Sequence, residues 1–272
     1  VVLGVVDRRY VNNKDFVAAR VMNNPFQKTT ADEIILEDKE HYRVFDLAES
    51  HFNTCRISFF HNSIGCYHAA KLGRIQVLLY FYISKNNMSV LNMLNVKYII
   101  VPTEEGPTAQ QNPNAMGNAW FVENIKWVNS PNEEILSLAD TDLNTTAIIN
   151  SEFKESGLVV SKAQDSTASI KLISQEPNEL VYKSTSSKEQ FAVFSEMYYE
   201  NGWNAYVDGN ETPHYNVNYV LRGMQIPAGE HTITFKFEPQ VIKTGSSIAL
   251  ASSILLGLLT LGGIYFFFRK KD

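Results

Sequence analysis

The sequence predicts an α+β chain: an α/β domain, then an antiparallel, jelly-roll-like β-sandwich, then one C-terminal transmembrane helix. Three observations predict it. Helix-like and strand-like patterns alternate between residues 40 and 150, as in α/β units. From about residue 155 to Pro239 the chain turns to Ser, Thr, Val, Tyr and Phe. Its short alternating runs there recur roughly every ten residues, the spacing of a sandwich. Ile248 to Phe268 is then a stretch of 21 residues without one charge.

Composition supports this order. At 272 residues the chain suits two domains better than one. Hydrophobic residues make up 44%, enough for real cores, which excludes general disorder. Charged residues make up 19%, below the ~25% of soluble domains, which points to a membrane. Lys plus Arg is 24 against 29 for Asp plus Glu, so there is no basic field and nucleic acid is not an expected partner. Two cysteines, Cys55 and Cys66, exclude a disulfide-dense scaffold and a four-cysteine zinc site. They either pair or stay as separate thiols.

The C-terminal stretch is the clearest element. At 1.5 Å per residue it spans ~30 Å, the thickness of a hydrocarbon core. Tyr265 and Phe266-Phe267-Phe268 lie at one end, where aromatics favour the interface. Arg269-Lys270-Lys271 follow at once and mark the cytoplasmic side. Residues before the span are then expected outside the cytoplasm. Residues 1–6, VVLGVV, read either as a buried strand or as the end of a span that begins upstream. The second is preferred because the sequence starts without Met.

The remaining elements follow from local pattern. Thr30 with Glu33 fits a capping box for a helix from Ala31 to Asp38. Tyr42 to Leu47 alternates as a strand, and Tyr67 to Ile83 carries a helical stripe of Leu72, Ile75 and Leu79. Ser89 to Asn95 is a short helix before the strand Lys97–Val101, which Pro102 closes. Ala119 to Val128 suggests a strand pair, Ser130 opens a helix through Ala139, and Thr146 to Ile149 is another strand. In the second part Asp208-Gly209 predicts a type I′ hairpin turn, and Pro227-Ala228-Gly229 a second turn. The expected domains are therefore 7–154 (α/β), 155–240 (sandwich), 248–268 (span) and 269–272 (cytoplasmic tail). Alternation places Trp203 with Ala205 and Val207 on the apolar face, so Trp203 is expected in the core with Phe235 and Phe237. Tyr206 is the exposed aromatic.

The densest polar stretch is Arg56 to Arg74. On a helix Tyr67, Lys71 and Arg74 share a face and His68 stands three before Lys71, so two cations and two donors could hold a phosphate. On residue types alone a solvated basic face is the preferred reading. His61 and His68 lack the acidic or Cys/His neighbours of a metal site. The sequence holds no G-x-S-x-G, P-loop or H-E-x-x-H.

Five strings, in this order, carry a resemblance. They are His61-Asn62-Ser63-Ile64-Gly65 with Tyr67-His68 and Ala70-Lys71-Leu72; Val90-Leu91-Asn92-Met93-Leu94-Asn95 with Lys97-Tyr98; Gly117-Asn118-Ala119-Trp120-Phe121-Val122; Gly202-Trp203 with Ala205 and Val207-Asp208-Gly209; and Leu221-Arg222-Gly223 with Ile226-Pro227-Ala228-Gly229 and His231. Together they resemble the C-terminal extracytoplasmic region of YfhO-type bacterial membrane proteins, from about Asp7 to the last helix. Two positions depart from that pattern: Cys66 stands where a second glycine is expected, and Ile75 to Ile83 is more apolar.

The resemblance implies a GT-C-like glycosyltransferase in the bacterial cytoplasmic membrane. Such an enzyme takes a sugar from a polyprenyl-phosphate carrier to a glycan acceptor of the cell envelope, with its main domains outside the cytoplasm. Its acidic catalytic residue would lie in an upstream loop, so no catalytic residue, resident metal or other cofactor is assigned to this sequence; a divalent metal would belong to that loop. The resemblance also reverses the reading of the polar stretch. Tyr67, His68, Lys71 and Arg74 become candidates to face the carrier phosphate, whose charge grows in the transition state. Two alternatives remain: a non-catalytic, membrane-anchored carbohydrate-binding module, and a structural surface protein.

Overall fold

A computed structural model describes residues 10–12, 14–49, 54–65, 70–158, 160, 165 and 167–269. The chain divides into two compact units, one of residues 1–71 with 95–115, the other of residues 72–94 with 116–272.

In the first unit, the described residues form helices α1 (Ala19–Asn23), α2 (Thr30–Glu37) and α3 (Arg56–Phe60) and strands β1 (Arg43–Asp46), β2 (Val96–Val101) and β3 (Thr108–Gln111). β1 pairs parallel with β2, which pairs antiparallel with β3. The parallel pair is the α/β signature that alternation predicts. Ala31 and Ile35 of α2 pack with Tyr42, Val44, Ile57 and Ile100 as the core. The capping box sits one residue earlier than expected: the Thr29 hydroxyl accepts from the Asp32 N–H, and the Asp32 carboxylate from the Thr29 N–H at 2.7 Å. Tertiary contacts select this register, because Asp32 is also the buried partner of Arg56 and His61.

In the second unit come α4 (Gly73–Phe81), α5 (Met88–Met93), β4 (Ala119–Val122), β5 (Asn124–Val128), α6 (Pro131–Ser137) and β6 (Thr146–Asn150). Strands β7 (Ser169–Glu176), β8 (Glu179–Ser186), β9 (Gln190–Met197), β10 (Trp203–Val207), β11 (Asn210–Glu211), β12 (Tyr215–Val217), β13 (Leu221–Ile226) and β14 (Gly229–Phe237) follow. The last element is α7 (Gln240–Arg269). One sheet has the order β11-β10-β14-β8-β7 and the other β4-β9-β13-β12-β6-β5. All pairings are antiparallel except β5 with β6. Leu180, Tyr182, Ala205, Ile233 and Phe235 from the first sheet pack with Ala192, Phe194, Met224 and Ile226 from the second. This is the antiparallel sandwich that the alternating runs predict. Asp208 and Gly209 both have positive φ, 50° and 82°, as a type I′ turn requires.

The sandwich is larger than the region that composition marks out. β4 pairs with β9, and β6 with β12, so residues 119–150 belong to its second sheet rather than to the α/β domain. Residues 72–94 join it too, through the Tyr82 hydroxyl bond to the Ile135 carbonyl and the Ser195 hydroxyl bond to the Met93 carbonyl. Alternation identifies a strand but not its partner, which lies some seventy positions along the chain. Helix α4 also differs from expectation. It begins at Gly73, not Tyr67, and Leu72 precedes it in an extended conformation.

Trp203 is half-buried rather than central, in ring contact with Phe237 at 5.4 Å and under the Arg222 guanidinium at 4.2 Å. Phe235 holds the central place, fully buried among Tyr182, Phe194 and His214. Gly202 leaves room for the Phe237 ring, with which any side chain there would collide.

Helix α7 has 30 residues, ~45 Å at 1.5 Å each. It is long and apolar enough to cross a membrane, and no residue of it is buried. Its base is tied to the sandwich by Glu238. That residue donates its N–H to the Gly202 carbonyl at 2.6 Å and accepts from the Tyr206 hydroxyl at 2.8 Å. Tyr206, the expected exposed aromatic, therefore serves as an anchor for the helix.

Candidate functional site

Of the four residues singled out in the polar stretch, two are described, Lys71 and Arg74. Tyr67 and His68 lie outside the described residues. Lys71 precedes helix α4, so the helical face expected for Lys71 and Arg74 is not formed. Arg74, in the first turn of α4, is bound from two sides. Its Nη1 donates to Glu134 Oε2 at 2.7 Å and to the Tyr219 carbonyl at 2.9 Å, and its guanidinium lies over the Tyr219 ring at 4.9 Å.

His61 and Arg56 also have structural partners. His61 Nε2 meets Asp32 Oδ1 at 2.9 Å, and Arg56 pairs with Asp32 Oδ2. Burial pushes the Asp32 carboxyl up, but hydrogen bonds from Thr29, His61 and Arg56 outweigh it and hold the group below the usual range. Burial lowers the His61 imidazole despite its carboxylate neighbour. No cluster of three metal-ligating side chains occurs among the described residues. Cys55 is disulfide-bonded; Cys66 lies outside the described residues.

The second unit builds a cleft of about 310 Å³. Its walls include Arg74, Glu134, Glu152, Tyr198, Tyr199 and Asn216. Strand register explains why residues so far apart meet. Met197 at the end of β9 pairs with Leu221 at the start of β13, and Val217 at the end of β12 with Ile149 near the end of β6. Trp203 at the start of β10 pairs with Phe237 at the end of β14. These termini all lie at one end of the sandwich, from which α7 leaves. The 198–202 link crosses that end and touches the helix base through Gly202 and Glu238.

A strained turn connects two residues of the cleft wall, Asn216 and Val220. Asn218 and Tyr219 both have positive φ, 48° and 71°, unusual for a bulky residue. Asn218 Oδ1 accepts from the Ile148 N–H at 2.8 Å, and the Asn218 N–H donates to the Ile148 carbonyl at 2.9 Å. The Tyr219 N–H donates to Glu134 Oε1 at 2.9 Å. Glu134, 1% exposed, thus uses one oxygen on the turn and the other on Arg74. Burial raises its carboxyl above the ordinary range, against the pull of Arg74 and the Tyr219 N–H. A raised carboxyl in a cleft is the pattern of an acid–base group. With both oxygens engaged, Glu134 instead positions Arg74 and the turn.

In the cleft wall, Tyr198 is half-buried, Tyr199 is exposed, and Phe153 meets Tyr215 edge-on at 5.3 Å. The Asn216 side-chain oxygen is buried with no hydrogen-bond partner among the described residues. Behind Tyr198, at 5.4 Å between rings, burial pushes the His214 imidazole down to about 4, so it is neutral. Local pattern does not mark Glu134, Tyr198 or Asn216 as a site. The nearest signals are the Tyr198-Tyr199 pair and an asparagine within a strand whose neighbours turn inward.

Residues 136–249 match the family model described as bacterial membrane protein YfhO. The match begins in α6, runs through strands β6 to β14 and ends inside α7. No curated protein and no solved structure is similar enough to match.

Proposed function

We propose that this chain, whose residues 136–249 match the family model of bacterial membrane protein YfhO, is a YfhO-type membrane protein and the C-terminal portion of a GT-C-like glycosyltransferase. The sugar would pass from a polyprenyl-phosphate carrier to a cell-envelope glycan outside the cytoplasm. The observation that carries this reading is the placement of an aromatic- and amide-lined cleft at the end of the sandwich that bears the membrane-length helix. A lipid-linked sugar is presented at the bilayer surface, where such a cleft would meet it. In the reaction an acceptor hydroxyl attacks the anomeric carbon, the bond from that carbon to the carrier phosphate breaks, and a base takes the hydroxyl proton. The base belongs to the upstream catalytic loop.

Lys71, with Tyr67 and His68, is proposed to stabilise the phosphate as it leaves. A charged hydrogen bond of this kind is worth ~1.5–3 kcal/mol. Lys71→Ala in the full-length membrane protein is therefore expected to slow transfer by about ten- to a hundredfold, with Lys162→Ala as an unaffected control. The assay follows sugar transfer from polyprenyl-phosphate donors in proteoliposomes. Glycan binding without any transfer by the unaltered protein would favour the membrane-anchored binding module instead.

Orientation is part of the same proposal. Cations follow the apolar stretch, and the disulfide at Cys55 suits an oxidising compartment. On spheroplasts, a cysteine replacing Asp272 is expected to react with an impermeant thiol reagent only after permeabilisation. A cysteine replacing the exposed Glu230 should react at once. The opposite pattern would reverse the topology.

A further inference from the structure

We propose that residues 14–28 of the first unit lie on the bilayer surface, with their apolar side chains at the boundary between headgroups and acyl chains and with Arg20 and Lys28 on anionic lipid headgroups. The proposal needs only that α7 crosses a membrane, for which it is long and apolar enough. It does not use the transferase reading.

Exposure marks the stretch out. Every residue from Lys14 to Lys28 is exposed, and helix α1 within it buries none of its side chains. Phe16 is 71% exposed, Met22 70%, Val17 56% and Val21 55%. Single exposed apolar residues are ordinary, but a run of them marks an interaction surface. The surface continues into an open groove of about 750 Å³, lined by Arg20, Val21, Phe26 and Lys28 and by Phe59 and Phe60 of α3. The Phe26 and Phe59 rings meet edge-on at 5.7 Å, and Phe59 is still 50% exposed.

Charge selects the occupant. Between residues 14 and 28, Lys14, Arg20 and Lys28 stand against Asp15 alone, in a chain whose net charge is -5. Other cations of the unit are paired, Arg56 with Asp32 and Lys97 with Asp38 at 2.6 Å. Among the described residues Arg20 and Lys28 have no such partner, and Glu33 is the one carboxylate in the groove wall. Exposed apolar side chains beside unpaired cations are what binds an anionic membrane surface. A dry apolar protein face would strip water from both cations and offer no counter-charge.

The backbone sets the depth. Apart from the five residues of α1, the stretch from 14 to 28 has no helix or strand among the described residues, so its N–H and C=O groups need water. The hydrated headgroup layer supplies it and the hydrocarbon core does not. Side chains therefore enter the boundary while the backbone stays above it. Because α7 already holds the chain at the bilayer, a weak surface affinity is sufficient.

The test uses the full-length protein in proteoliposomes, with an NBD label on a cysteine replacing Phe16 or Met22. A cysteine replacing Glu105, exposed in a turn of the same unit, is the control, and any labelling of the unaltered protein is subtracted. The quencher is a phospholipid with a doxyl group near the top of its acyl chain. In vesicles of phosphatidylcholine with phosphatidylglycerol, quenching at positions 16 and 22 is expected to be at least about twice that at position 105. It should fall by about half in phosphatidylcholine alone, and also in Arg20→Glu with Lys28→Glu. That double variant should keep its melting temperature, since both side chains are exposed and unpaired. Quenching at 16 and 22 no stronger than at 105 would overturn the proposal. So would labels shielded from aqueous iodide but not quenched by lipid, which would mean that protein covers the stretch. Lipid quenching that ignores both phosphatidylglycerol and the charge reversal would overturn the assignment of Arg20 and Lys28 to anionic headgroups.

Discussion

Phe235→Ala is expected to destabilise the sandwich by about 3–5 kcal/mol, the range for truncating a buried phenylalanine. The ring is fully buried, 4.9 Å from Phe194 and 6.1 Å from Tyr182 between centroids, with the Arg222 guanidinium 5.0 Å from its own centroid. Truncation removes contacts from both sheets at once, and β-strands on either side prevent collapse into the space. All three tryptophans, Trp120, Trp127 and Trp203, belong to the second unit. A urea melt of the detergent-solubilised chain followed by tryptophan fluorescence therefore reports that unit. Trp203→Ala should cost less, about 2 kcal/mol, because its half-exposed ring loses mainly the Phe237 contact and the Arg222 cation–π contact. A Phe235→Ala loss below about 1 kcal/mol, the level of a surface change, would mean that this ring is not the centre of the core.

Arg74→Ala is expected to cost about 3 kcal/mol, the lower end for breaking a buried ion pair. The lower end applies because 36% of the Arg74 side chain is exposed, so water replaces part of what is lost. The Glu134 carboxylate, 1% exposed, would keep only the Tyr219 N–H. Removing both partners, in Arg74→Met with Glu134→Leu, should recover part of the loss, since no lone buried charge remains. The pH dependence has a definite sign. Burial already raises the Glu134 carboxyl in the folded protein, so the folded state binds the proton more tightly than the unfolded state. That carboxyl then costs stability as pH rises through its folded pKa, and the cost is relieved on acidification. Without Arg74 the group rises further, so Arg74→Ala should lose less stability at about pH 5 than at about pH 7.5. An equal loss at both would mean that Glu134 keeps its charge by another contact.

The candidate site shows where sequence reading stops. Arg74 is legible as a cation near a helix start, but its carboxylate partner is 60 positions away and its carbonyl partner 145. Spacing on a presumed helix put Lys71 on the face of Arg74; the extended conformation at Leu72 starts the helix too late for that. The Asn216 acceptor is just another strand asparagine until the folded neighbours fail to satisfy it. None of these facts has a local signature, because each depends on which strand ends the sandwich brings together.

The sequence by itself determined the elements whose physics is local. The 21 uncharged residues specify a membrane-length helix, since every window of that stretch is apolar. Asp208-Gly209 specifies its turn through backbone conformation alone. Alternation from residue 168 onward specifies sandwich strands, because side chains on a strand must point to opposite faces. Only the tertiary structure decided that β4 and β6 pair with β9 and β12, that Phe235 rather than Trp203 is central, and that Glu134, Tyr198 and Asn216 share one cleft. Pairing partners are selected by the burial of whole sheet faces against each other. That free energy belongs to contacts between residues distant in the chain, and no local window contains it.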